Sequence, residues 1–413
     1  MILVKMALRQ LFTHKKRSIV TFLLSAFSTL LFIFANAISD GSHNQLIRSS
    51  VEIYPGYMEV TNREFEDEPS FESLIFDVAT AREALENVEG IKAHAVRFEA
   101  FALYVSDKQS IGGMFTAIEP ENEAEVSRLK SSLVEGEYLN SDDTNALYLG
   151  VELAKRLKLG VGDRLSFIST GADYSFAADN LLIKGLFKTK LYEFDNGSAF
   201  VNKAYFDTVM ESKNIATHII ISPVDVEMID AVTADVQKAV GEALDVKNYK
   251  ETLEDLILAM EIDEIFGYIT LGIFFIVIFF VIAIFAFLSV YARIRQIGVL
   301  RAIGTTPSQV MGLLLIEAFI LGILSVGVGG AAGAYASDYY EKHPIEFSSM
   351  VDMDVEEYYK QYNMVADMTI PTEYNPSKIM AEMLLMLLLN LLTVIYPIVM
   401  INRFTPTEAI RYV

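Results

Sequence analysis

The chain has 413 residues, 52% of them hydrophobic and only 21% charged, yet its formal net charge is −21 and its mean hydropathy +0.34. A uniformly acidic soluble globule would not be so apolar, so charge and apolar mass must lie in different segments; the negative balance also argues against nucleic-acid binding, which needs a basic face. Cysteine is absent, which excludes disulfides, thiolate chemistry and Cys-based metal sites.

Residues 1–18 carry Lys5, Arg9, Lys15, Lys16 and Arg17 and no acid. The first span follows at 19–39, where Ile19–Ile38 has no charge and meets the roughly 20-residue length of a membrane helix. Ala35-Asn36-Ala37 resembles a cleavage site, but the apolar run exceeds the roughly 7–15 residues of a signal peptide's core. The span is therefore expected to be a retained anchor.

Residues 40–264 hold 20 Lys and Arg against 42 Asp and Glu, a balance of −22. That segment is long enough to bury its own core and reads as mixed α/β, with two subdomains expected. Tyr57–Thr61, Ala93–Val105, Arg164–Thr170, Leu181–Phe187 and Thr217–Ser222 have strand character. Asp77–Val88, Glu121–Leu133, Val151–Leu157, Asn202–Met210 and Val226–Leu244 have helical periodicity. The turn Gly160-Val-Gly162-Asp163 separates a helix from a strand.

From Thr252 the helical pattern continues into the second span, 265–292, and on to Ile294. An unbroken helix of that length would be a stalk of roughly 65 Å; two helices broken near Asp263–Glu264 remain the alternative. Residues 293–309 form a short basic loop. The third span, 310–337, contains only Glu317 as a charge, and the fourth, 383–401, has none. Between them, 338–382 holds 10 acids against 3 bases, and 402–413 form the tail. Basic short loops mark the cytoplasmic side. Both termini and 293–309 are thus expected in the cytoplasm, with 40–264 and 338–382 outside. The fold class is an α-helical membrane protein with four transmembrane helices plus a large mixed α/β extracytoplasmic domain between spans one and two.

No Walker A phosphate cradle, H-E-x-x-H pair or G-x-S-x-G elbow occurs. Within the spans the polar residues that stand out are Glu317, Asn36 and Asn390, and such groups usually face a bundle or serve function. A structural hydrogen bond is the favoured role for Glu317. Gly329 and Gly333 would admit a close helix, either within the chain or from a second copy. Pro397 is expected to kink span four.

In the 293–309 loop, Gly304 ends one helix and Thr306, Pro307 and Gln309 start the next with a capping box. Ile297, Val299, Leu300 and Ile303 supply apolar contacts. On chemistry alone the loop could equally rest on lipid headgroups.

The run Ile297-Gly298-Val-Leu-Arg301-Ala302-Ile-Gly304, followed by Glu317 and a Gly-rich helix, resembles the FtsX/MacB/LolC-LolE type of ABC transporter permease. Further matches are Ala7-Leu8-Arg9 with Lys15-Lys16-Arg17, which resemble the family's cytoplasmic amphipathic lead-in over 1–18, Leu149-Gly150 with Leu153-Ala154 and Gly160-Val-Gly162-Asp163, and a closing Pro406-Thr-Glu408-Ala409-Ile-Arg411. The resemblance implies a non-catalytic, mechanotransmitting permease of the bacterial inner membrane. It would work with a second permease copy or homologue and a separate dimeric ABC ATPase that holds ATP and Mg. Arg293, Arg295, Gly298, Arg301, Ala302 and Gly304 would then couple to the ATPase, with the tail residues Pro406, Glu408 and Arg411 as further contacts. Lipoprotein release is the leading implied role, with a lipoprotein or other periplasmic partner. Efflux of a small molecule or peptide, or signalling to a cell-wall hydrolase, are alternatives. The 338–382 loop departs from the family's usual short connection and reads as a lid, a docking element or an acidic surface loop.

Overall fold

The computed structural model describes residues 2–13, 15–65, 70–107, 109–171, 174–189, 191–346 and 369–402. Two compact units emerge: an α/β unit, Leu46–Ala259, and a helical unit formed by the chain before and after it. The tail, with Pro406, Glu408 and Arg411, and most of the 338–382 loop lie outside the described residues.

The chain opens with α1 (Ile2–Thr13) and α2 (Lys15–Ile53), then enters the α/β unit through β1 (Met58–Asn62) and α3 (Val78–Glu86). Strands β2 (Ile91–Val105) and β3 (Ser110–Ile118) precede α4 (Pro120–Val126), β4 (Leu133–Gly136), β5 (Ala146–Gly150) and α5 (Val151–Leu157). Next come β6 (Arg164–Thr170), β7 (Phe176–Phe187), α6 (Tyr192–Gly197), β8 (Ser198–Asn202) and α7 (Lys203–Val209). The unit closes with β9 (His218–Pro223), α8 (Ile229–Val240), β10 (Leu244–Asn248) and the short α9 (Tyr249–Thr252). The helical unit resumes in α10 (Glu254–Tyr291), α11 (Ile294–Ala302), α12 (Pro307–Lys342), the pair β11 (Ile345–Glu346) and β12 (Thr369–Ile370), and α13 (Pro376–Asn402).

The α/β unit is organised on one sheet in the order β10-β1-β9-β2-β3-β8-β5-β7-β4, with β6 paired to β2 and β7. Its two largest apolar clusters meet at strand β2. Val60, Leu85, Val96, Ile219 and Val236 form one; Phe98, Phe115, Leu153, Phe167 and Phe206 form the other. Strand β2 contributes to both, which fuses the two halves into one sheet. Where β2 enters the second half, Arg97 is 1% exposed and meets Glu123 through Nε (2.9 Å) and Nη2 (2.7 Å). Its Nη1 donates to the Tyr54 carbonyl at 2.6 Å, and the guanidinium lies 4.0 Å from the Tyr54 ring centroid. Burial works against charge on Arg97, but the Glu123 carboxylate outweighs it and holds the pKa above the ordinary value.

Glu123 also explains why the helix expected over Glu121–Leu133 is short. It fixes α4 to the sheet, Ser127 then turns extended (φ −137°, ψ 169°), and the chain reaches β4 at Leu133. The long helix expected from Thr252 to Ile294 is likewise trimmed. Leu253 (φ −112°, ψ 37°) separates α9 from α10, and α10 stops at Tyr291 after 38 residues, roughly 57 Å. The helix continues through Asp263–Glu264, so the alternative break there does not occur.

In the helical unit α2, α10, α12 and α13 are long and apolar enough to cross a membrane. Helix α12 is central because its glycines admit neighbours on two sides. A Cβ at Gly329 would lie 2.2 Å from the Ala26 carbonyl oxygen, and one at Gly333 would meet Ile33 at 3.1 Å. The Gly329/Gly333 contact is therefore with α2 of the same chain. On another side, a Cβ at Gly330 would strike Met383 of α13 at 2.6 Å. The segment after β12 straps these helices together: Pro371 and Thr372 lie against Gly41 of α2, Thr372 Oγ1 donates to the Ser337 carbonyl (2.7 Å), and Glu373 N to that of Ala37 (2.9 Å).

Two substitutions test these packing claims. Arg97→Met should cost about 3–5 kcal/mol by stranding a buried carboxylate, read as a loss of hydrogen-exchange protection across β1, β2 and α4 in the full chain; adding Glu123→Leu should restore most of it. Gly329→Ile should lower the thermal midpoint of the detergent-solubilised chain, whereas Gly327→Ala, where a Cβ meets nothing within 4 Å, should leave it unchanged.

Candidate functional site

The hairpin between α10 and α12 is built by its turns. Backbone N–H of Arg293 bonds the Val290 carbonyl at 3.1 Å, tightening the end of α10. Arg293 itself leaves helical geometry (φ −108°, ψ 6°) and α11 begins at Ile294. At the far end Gly304 has φ +107°, a conformation that favours glycine. Its N–H bonds the Arg301 carbonyl, and that of Thr305 bonds Leu300. Helix α12 then starts with the expected capping box: Gln309 N donates to Thr306 Oγ1 (3.4 Å) and Thr306 N to Gln309 Oε1 (3.0 Å).

Helix α11 has two faces. Ile294, Ile297 and Gly298 are buried, and Ile297 packs in a cluster with Val290, Val310, Leu314 and Ile398. The opposite stripe holds Arg295, Val299, Ala302 and Ile303, at helical spacing and exposed; Ile303 reaches 77%. Val299 and Ile303 are thus outward, not internal contacts. Gly304 is exposed beside them and Arg301 is half-buried.

Arg293 does not share that surface. Although the sequence groups it with the other hairpin residues, it is 4% exposed and turned into the bundle. Its Nη1 and Nη2 donate to Glu317 Oε2 and Oε1 at 2.8 and 2.9 Å, and Nη1 also reaches Gln10 Oε1 at 3.0 Å. Arg17 approaches the same carboxylate at 3.6 Å and donates from Nη1 to the Ser289 carbonyl at 2.6 Å. Gln10 of α1 and Arg17 of α2 therefore meet the Arg293–Glu317 pair at the root of the hairpin, and Arg17 ties it to α10 through Ser289. The break after Tyr291 is what aims Arg293 inward.

Further along the bundle, Asn390 accepts from Ser25 Oγ (3.0 Å), and Ser325 Oγ donates to Ser25 Oγ (2.9 Å). This ties α13, α2 and α12 by hydrogen bonds worth about 0.6 kcal/mol each in a membrane. Asn36 bonds back to the Phe32 carbonyl of its own helix. A cavity of about 60 Å³ lies among these groups, lined by Arg17, Ser25, Ser289, Arg293, Glu317 and Asn390 with apolar neighbours. Sequence reasoning marked Glu317 and Asn390 but missed Arg17, Ser25 and Ser325: Arg17 looked like one more topogenic base, and lone serines carry no signal.

Residues 268–406 match the family described as FtsX-like permease C-terminal. The chain is 23% identical over 308 residues to a lipoprotein-releasing system transmembrane protein LolC of Xylella fastidiosa, covering 72% of this chain and 73% of that one. The LolC of Neisseria meningitidis serogroup B is 21% identical over 337 residues, covering 79% and 80%. Among solved structures, the periplasmic region of MacB from Actinobacillus actinomycetemcomitans has a TM-score of 0.38 at 13% identity, covering 52% of this chain and 97% of that one. The extracellular domain of the transporter YknZ from Gram-positive bacteria has 0.35 at 13%, covering 46% and 99%.

If the Arg293–Glu317 pair anchors the hairpin, Glu317→Ala strands two arginines without a carboxylate. That should destabilise the solubilised chain by about 3–5 kcal/mol, seen as a lowered thermal midpoint. A cavity-preserving swap of both partners, Arg293→Met with Glu317→Met, should recover most of the loss.

Proposed function

We propose, starting from a chain that is an FtsX-like ABC transporter permease, that the outward stripe of α11 seats on a separate ATPase and that the Arg293–Glu317 anchor passes its movement into the bundle. The observation that carries this reading is the division of labour in α11. One face is packed into the helical unit, while Arg295, Val299, Ala302 and Ile303 present an apolar strip edged by charge. Apolar residues near a centre with charge at the rim are the composition of a protein interface. Nothing in the lead-in's basic residues alone accounts for an exposed isoleucine at the end of a capped hairpin. On the ATPase, not on this chain, ATP and Mg would be held.

Movement of α11 would reach two elements. Through Arg293 it acts on Glu317 and α12, and through the two-residue turn it acts on α10, an unbroken helix back to Glu254. Lipoprotein release from the inner membrane is the cargo role supported by the LolC likeness, with the α/β unit outside the membrane, both termini inside, and a second permease copy or homologue completing the assembly.

Ile303→Asp should leave the chain folded, since the side chain is exposed, but cut co-purification of the ATPase about tenfold or more by placing a charge in the apolar strip. In proteoliposomes holding the permease, its ATPase and an acylated lipoprotein, ATP-dependent release should fall in parallel. Normal release by the Ile303→Asp protein would sink the docking assignment; normal ATPase binding with no release of any lipoprotein would move the cargo to another class.

A further inference from the structure

The helices place two cations on one anion. Arg17, Arg293 and Glu317 are the charged residues lining the cavity at the hairpin root among the described residues. Glu317 is committed to both Nη groups of Arg293, so Arg17, whose Nη1 donates to the neutral Ser289 carbonyl, has a 3.6 Å approach to that carboxylate as its ion-pair contact in the cavity. Two guanidiniums around one carboxylate leave one positive charge uncompensated, a state that is more costly the lower the local dielectric. Arg293 Nε is buried and has no hydrogen-bond partner among the described residues, a costly state unless something accepts from it. The cavity measures about 60 Å³, which is room for more than one water or for one small anion.

Its position narrows the occupant. Arg17 and Ser18 lie in the first turn of α2, whose N-terminal N–H groups favour anions. Lys15 and Lys16 are exposed just before them, and within α2 the exposed apolar side chains begin immediately after, at Ile19, Val20 and Leu23. The Arg17 end of the cavity therefore sits where the apolar wall of α2 starts, the depth of lipid headgroups. Guanidinium forks match phosphate oxygens in a way that a chloride cannot exploit.

We infer that the cavity between α2, α10 and α12 binds the phosphate of an anionic phospholipid headgroup, held by Arg17 and neighbouring Arg293. Basic pockets between membrane helices take lipid headgroups by the same chemistry. A bound lipid here would brace the root of the hairpin. The inference does not depend on ATPase docking, and its readout is binding alone.

The test uses the full chain, delipidated in mild detergent and titrated with short-chain phosphatidylglycerol or, separately, inorganic phosphate, following the thermal midpoint. Phosphatidylglycerol should raise the midpoint saturably, and Arg17→Gln should weaken the apparent affinity about tenfold or more. Lys15→Gln with Lys16→Gln should change it little. Thr21→Leu, which adds bulk to the cavity lining, gives a second variant should Arg17→Gln fail to fold, and should also weaken binding. Saturation by inorganic phosphate without any by lipid keeps the anion site and overturns the lipid as its occupant. No saturable response to either, or equal affinity in the Arg17→Gln or Thr21→Leu protein, overturns the site.

Discussion

The pair between Arg293 and Glu317 is the constraint on which the membrane half depends. A guanidinium and a carboxylate, each nearly sealed from solvent, survive among apolar helices only because both forks are satisfied at 2.8 and 2.9 Å. To bring Arg293 inward the chain must leave helical geometry after Tyr291, so the pair dictates the break between α10 and α11. That break frees α11 to turn its other face outward. One ion pair thus fixes both where the hairpin is rooted and which side of it is available to a partner.

Around this root the helices are unequally bound. Helix α12 lies against α2 through Gly329 and Gly333, against α13 through Gly330, and to both through the Ser25, Ser325 and Asn390 hydrogen bonds. The strap at Pro371–Glu373 adds a backbone bond to α2 and a Thr372 hydroxyl bond to α12. Helix α10 has far less of this: only 11% of its most apolar window is buried, against 39% for α12. Its packing rests on side chains such as Phe275 against Phe32 and on Ile282. In physical terms α2, α12 and α13 form a tied trio, and α10 with α11 is the element least restrained by it. A motor acting on α11 would move α10 at the lowest cost in broken contacts.

Much of this was legible in the residues because its causes are local. Uncharged runs of span length, the capping box at Thr306–Gln309 and the glycine stop at Gly304 each follow from short-range chemistry, as do α3, α5, α7 and β6. What escaped was set by distant partners. Nothing near Arg293 tells it from Arg295, and only Glu317, 24 residues on, decides that one is buried and the other exposed. The same holds for α4, shortened because Glu123 must reach Arg97, and for β3, whose run Ser-Ile-Gly-Gly-Met lacks strand alternation but is held by β2 and β8. The Gly329/Gly333 pattern announced close packing without saying against what; the answer came from Ala26 and Ile33 on a helix some 300 residues away.

The central claim is that the outward face of α11 seats on an ATP-binding subunit. Because the chain contains no cysteine, a single Ile303→Cys carries one photo-crosslinker to one place, with Gly327→Cys, on an exposed side of α12, as the lipid-facing comparison. Irradiation in native membranes should join the Ile303 position to an ATP-binding subunit, with the yield changing on addition of ATP, and the Gly327 position should not. Adducts with lipid alone at both positions would contradict the account and leave the hairpin as a membrane-surface element.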